Sequence, residues 1–113
     1  MTDKRSYHRF QIWFPITLVI GPREVWAICR DASSGGLLVS SEAALDVGTN
    51  LVARFKVSPR ARSERVVPAK VVRHEASVGE LMQAFPHRAA LEFAKPVYDL
   101  LDDLARFSDT LVW

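Results

Sequence analysis

The sequence predicts an all-β chain with one terminal helix, folded as a small six-stranded antiparallel β-barrel flanked by a C-terminal α-helix. Three observations carry this. Apolar and polar residues alternate through much of residues 10–93, the period of strands with one buried face. Turn residues interrupt the alternation at short intervals. After Pro96 the apolar period lengthens to three or four residues, which is helical.

The elements follow in order. Residues 1–9 are polar and basic and read as a flexible leader. In Phe10 to Ile20, Ile12, Phe14, Ile16, Leu18 and Ile20 share one face, and Gln11, Trp13, Pro15, Thr17 and Val19 share the other. Pro15 has no N–H for the ladder, so this strand lies at an edge or bends there. Gly21-Pro22-Arg23-Glu24 is a turn, and Val25 to Cys29 a second strand. Asp31 to Gly36 has loop composition, and Leu37 to Ser40 is a short third strand. After a turn at Asp46 to Asn50, Leu51 to Val57 alternates with Leu51, Ala53, Phe55 and Val57 inward and Arg54 and Lys56 outward. Ser58 to Glu64 is a polar tip, and residues 65–74 return as the partner strand. Ala89 to Phe93 is the last strand. In the helix, residues 96–108, Val97, Leu100, Leu101, Leu104 and Phe107 face inward, while Asp99, Asp102, Asp103 and Arg106 face out. Proline suits the first helical turn.

The chain has 113 residues, room for one domain with a modest core. Its hydrophobic fraction is 49% and its charged fraction 25%, which excludes global disorder. A net charge of +2 is too small to argue for duplex DNA as a partner. Cys29 is the single cysteine, so no internal disulfide is possible, and its strand setting reads as a buried, inert thiol. No long apolar run follows the N-terminus, and Phe10 to Ile20 is too short to span a bilayer. The expectation is a cytoplasmic protein without membrane insertion. No P-loop, metal-ligand cluster or nucleophile with an evident base is visible, so no enzyme activity and no cofactor are expected.

Two short motifs carry chemistry. Arg5-Ser6-Tyr7-His8-Arg9 reads Arg-x-x-x-Arg, and Asp31-Ala32-Ser33-Ser34-Gly35-Gly36 reads Asp-x-Ser-x-x-Gly. Guanine offers O6 and N7 acceptors that one guanidinium can bridge. Its N1 and N2 donors suit a carboxylate such as Asp31. A guanidinium can also stack on a purine. Ser33 can donate to a phosphate oxygen, and Gly35 and Gly36 allow backbone amides to approach a ligand. Taken singly, each motif also has an ordinary reading. Arg5 and Arg9 can be solvated leader charge, and Asp, Ser and Gly are common turn residues.

The order of these motifs, at the front of a strand-rich chain with a terminal helix, resembles the PilZ domain. The resemblance spans nearly the whole chain, including Val71-Val72-Arg73 in the central hairpin. It implies a six-stranded antiparallel barrel with a C-terminal helix, binding the bacterial messenger cyclic di-GMP on its outer face. It further implies that Arg5 and Arg9, with Asp31, Ser33 and Gly36, hold the ligand while the leader wraps over it. A downstream protein would receive the signal. Two departures stand out. Ala90 replaces a glycine common in the last strand, and Lys4 stands just ahead of the arginine pair, where arginine is common. Lysine keeps charge but loses the fork, which leaves one or two bound ligands open. Oligomeric state is open as well.

Two rival readings stand beside this one. One is a PilZ-like protein-interaction adaptor with weak or no nucleotide binding. The other is a small barrel for single-stranded nucleic acid, through exposed arginines and tryptophans. Arg60, Arg62 and Arg65 are expected to be a solvated tip, His8 and His74 surface residues, and residues 75–88 a short helical turn or partner surface.

Overall fold

The structure, a computed structural model, describes residues 8–76 and 84–109. Six strands precede one helix: β1 (Phe14–Ile20), β2 (Arg23–Ala32), β3 (Gly36–Ser41), β4 (Asn50–Phe55), β5 (Arg65–Ala76), β6 (His87–Phe93) and α1 (Leu100–Asp109). The strands form a closed antiparallel barrel in the order β1-β2-β3-β6-β5-β4. The expected fold class is therefore present.

Closure explains two prolines. Pro15 pairs with Ile28 of β2, while β4 joins β1 only from Ile16 onward. Pro68 pairs with Val52 of β4, while β6 joins β5 only from Ala69 onward. Each proline sits where its strand has a ladder neighbour on one side, so its missing N–H costs little. A closed sheet thus accommodates residues that normally mark an edge.

The alternation places the core inside. Ile12, Phe14, Ile16 and Leu18 are buried, as are Leu51, Ala53, Phe55 and Val57. Phe14 and Phe55 stack with centroids 5.2 Å apart. Leu100, Leu104 and Phe107 of α1 join the same cluster. The helix starts later than Pro96. Residues 96–99 form a lead-in, with Leu100 N–H donating to Val97 and Leu101 N–H to Tyr98. These three-residue spacings give a tighter turn before the α-helix. Arg65 then clamps the helix, donating to Asp103 at 2.9 Å and Asp99 at 3.3 Å. Arg65 and Asp103 were expected to face solvent, yet both are partly covered by this contact. Burial alone would lower the Arg65 pKa, but its bonds to Asp103 and Asp99 raise it.

Two β-bulges set the outer face. The ladder between β2 and β3 shifts between Cys29 and Asp31. The extra residue, Arg30, resets the alternation, so Cys29 and Ala32 are buried while Arg30 and Asp31 both lie outside. A second shift lies between Val71 and Arg73. It turns both Val72 and Arg73 outward and His74 inward, where His74 stacks on His87 at 5.8 Å. His74 is thus half-buried rather than a surface residue. Trp13 and Trp26 are outside, 52% and 58% exposed, while Trp113 lies outside the described residues. Cys29 is fully buried, and burial pushes its thiol up to about 12. No described helix is long and apolar enough to cross a membrane.

Candidate functional site

The site is built where β2 turns into β3. The predicted loop from Asp31 to Gly36 is shorter than expected, because Asp31 and Ala32 belong to β2 and Gly36 opens β3. Ser33 organises the turn that remains. Its hydroxyl accepts from the Gly35 and Gly36 amides at 3.1 and 3.2 Å and donates to the Gly36 carbonyl at 3.4 Å. Ser33 is buried, at 2% exposure. In this arrangement its hydroxyl and both glycine amides already have partners within the turn. A ligand drawing on them must loosen those bonds.

Gly36 has a packing reason to be glycine. A Cβ there would overlap the Leu91 carbonyl oxygen across the β3–β6 ladder. Positive φ plays no part, since among the described residues only Gly21 and Gly48 adopt it.

Arg9 reaches this turn from the leader. The Phe10 N–H donates to the Ala32 carbonyl at 2.8 Å, and the Ala32 N–H donates back at 3.0 Å. This bridge anchors the chain beside β2. Arg9 Nη1 then meets Asp31 Oδ1 at 2.8 Å, with side chains 53% and 21% exposed. Arg9, Ser33, Gly35 and Gly36 border an outer-face cavity of about 320 Å³ with Arg73, Ala90 and Glu92. Ala90, at the position of the common glycine, therefore lies on this wall. Larger depressions exist elsewhere, including one of about 660 Å³ that touches Gly35, but they gather none of the other described motif residues. Chemistry rather than size selects this one.

The structure thus brings together Arg9, Asp31, Ser33, Gly35 and Gly36. Lys4 and Arg5 lie outside the described residues. Arg73 and Glu92 were not picked out for the site by sequence. The signal for Arg73 was the broken alternation in Val71-Val72-Arg73-His74, which marks the bulge that aims it outward.

A PilZ domain family model matches residues 3–107. The chain belongs to the PilZ domain family. No curated protein sequence matches it. Among solved structures, it is similar to the PilZ domain of YcgR from Escherichia coli with c-di-GMP, at TM-score 0.69 and 14% identity, covering 96% of this chain and 92% of that one. It is similar to the Bacillus subtilis inhibitor of motility MotI/DgrA, at TM-score 0.67 and 16% identity over 96% of this chain. It spans about half (51%) of that protein's length. The PilZ domain of CeSA from a cellulose-synthesizing bacterium matches at TM-score 0.59 and 21% identity, over 92% of this chain and 97% of that one. Identities this low speak for the fold alone.

Proposed function

We propose that this PilZ domain is a cyclic di-GMP receptor that relays the messenger's presence to a partner protein. The observation that carries the proposal is the meeting of Arg9 with Asp31 at 2.8 Å, on the rim of an outer-face cavity that Ser33, Gly35 and Gly36 also border. Two motifs far apart in sequence share one place. In this reading Arg9 takes the guanine O6/N7 edge, and Asp31 takes the N1 and N2 donors. Arg5 and Lys4 add positive charge for the phosphates. The Arg9–Asp31 pair must open or reorient as the base enters. Ligand binding and leader position are then coupled, because the same guanidinium anchors both. The solved YcgR domain carries c-di-GMP, which supports the ligand, and the Bacillus protein is an inhibitor of motility, an output in keeping with a relayed signal.

Calorimetric titration with cyclic di-GMP, against GTP and cyclic di-AMP, tests the proposal. Selective binding at micromolar concentration or tighter is expected, with Arg9→Ala and Arg5→Ala each weakening it at least tenfold while the melting temperature holds. Normal binding by both variants would overturn the site assignment.

A second reading, an adaptor without nucleotide affinity, is favoured by the engaged Ser33 hydroxyl and by Ala90 on the cavity wall. The absence of binding heat at several temperatures would select it.

A further inference from the structure

The barrel wall opposite the candidate site has a groove of its own. In the ring of strands the β1–β4 seam lies across from the β3–β6 seam, where the Ser33 turn and its cavity sit. At this far seam the ladder between β1 and β4 ends at Ile16, opposite Phe55. Pro15, the next residue along β1, has no N–H with which to extend it. A groove of about 420 Å³ opens there, lined by the buried Phe14, Phe55 and Phe107 and by the exposed Trp13 and Trp26.

Both indoles are exposed yet held in place. The Arg30 guanidinium carbon stands 4.7 Å from the centroid of the Trp13 ring. Glu42 pins the backbone of Trp26: its carboxylate accepts the Trp26 N–H at 2.9 Å, and its own N–H donates to the Trp26 carbonyl at 3.0 Å. Large aromatic side chains that are fixed before binding make strong anchors for a partner, because little rotamer freedom is lost. Trp26, Thr17 and Arg54 form one row across β2, β1 and β4. Arg54 is engaged by Glu24 at 3.4 Å and by Glu64 at 3.7 Å. Lys56, two residues on, borders the groove and has no ion-pair partner among the described residues.

These features select the occupant. Pro15 and Pro59 border the groove and offer no N–H, so a peptide added as a further strand would lack ladder donors there. Recognition falls to the side chains instead. A polyproline II segment needs no ladder, is rigid before binding and docks in aromatic-lined grooves. The Glu24 and Glu64 carboxylates oppose a chain of phosphates. The unpaired Lys56 ammonium calls for a carboxylate on the partner. We propose that this groove binds an extended, proline-containing segment of a partner protein, with prolines against Trp13 and Trp26 and an acidic residue at Lys56. Its use as the relay surface rests on the receptor reading above, whereas the docking itself involves none of the residues assigned to the messenger.

The test uses fluorescein-labelled synthetic peptides of repeated Pro-Pro-Asp, Pro-Pro-Lys or Gly-Ser-Asp triplets. The full chain is titrated into each, without cyclic di-GMP, and anisotropy is read. Saturable binding of the Pro-Pro-Asp peptide is expected, with the other two far weaker. Trp13→Ala and Trp26→Ala are each expected to weaken it about tenfold or more. Lys56→Glu is expected to lose the Pro-Pro-Asp peptide and gain the Pro-Pro-Lys one. Tyr98→Ala removes a comparably exposed aromatic outside the groove and serves as the control. Melting curves confirm that each variant is folded. No saturable binding of the Pro-Pro-Asp peptide overturns the proposal, as does equal binding of the Gly-Ser-Asp peptide or an equal loss in Tyr98→Ala. Tighter binding of oligothymidylate than of peptide overturns it in favour of a nucleic-acid strand. A dimer in sedimentation that Trp26→Ala dissolves and the Pro-Pro-Asp peptide does not displace overturns it in favour of a second copy. Because the messenger is left out, failure here leaves the receptor reading intact, and failure to bind cyclic di-GMP leaves the groove intact.

Discussion

Gly36 and Cys29 show how strictly the barrel wall constrains single residues. The space a Cβ would need at Gly36 is occupied by backbone of β6, which cannot move like a flexible side chain. Gly36→Ala should therefore destabilise the domain by about 1–3 kcal/mol, visible as a lower midpoint in urea. An unchanged midpoint would mean that the Leu91 carbonyl yields to a methyl group at no cost. Cys29 is held protonated by burial, with its pKa raised from 9.0 to about 12. An acid with a raised folded value keeps its proton after the unfolded chain has lost its own. This contribution to stability is thus constant below about pH 8.5 and falls as pH climbs from there toward the folded value. At pH 8 the native thiol should resist an aromatic disulfide reagent and react fully in guanidinium. Rapid reaction of the native protein would contradict its burial. The sequence marked both residues, but for Gly36 it suggested turn geometry or ligand approach. The packing reason depends on which strand lies alongside, and that is not written locally.

Strands and the helix were legible where one periodicity ran unbroken. Ile12 to Leu18 and Leu51 to Val57 bury the faces their alternation predicts. Legibility ended at the bulges. The second strand was expected to end at Cys29, with Asp31 to Gly36 a loop by composition. It continues, and the doubled polar step at Arg30 and Asp31 is the bulge itself. The helix start was also misplaced: Pro96 fits a first turn, but the chain after it closes three-residue hydrogen bonds, and the α-helix begins only at Leu100. The inward face of α1 was correct. Leu104 is fully buried, and Leu104→Ala is expected to cost about 2–5 kcal/mol. A melting temperature equal to wild type would show that the helix is dispensable to the core.

At the scale of the molecule, closure puts residues distant in sequence onto one outer wall. β3 lies between β2 and β6, and β6 lies next to β5. That order gathers Arg9, Asp31, Arg73 and Arg88 from four stretches of chain. The sequence carried the strand inventory and the two motifs, and the family resemblance supplied the barrel that arranges them. It could not show that Arg88 and Arg30 border one cavity, because only the pairing order brings them together. The Ser34 carbonyl accepts from Val97 N–H at 2.8 Å, and the Gly35 carbonyl from Phe93 N–H at 2.9 Å. The turn at the candidate site is thus stitched to the last strand and to the lead-in of the helix. A recombination junction anywhere between these segments would part the motif from the backbone that shapes it. Such a domain is expected to pass between proteins whole, and its motif has no value as a transplanted peptide.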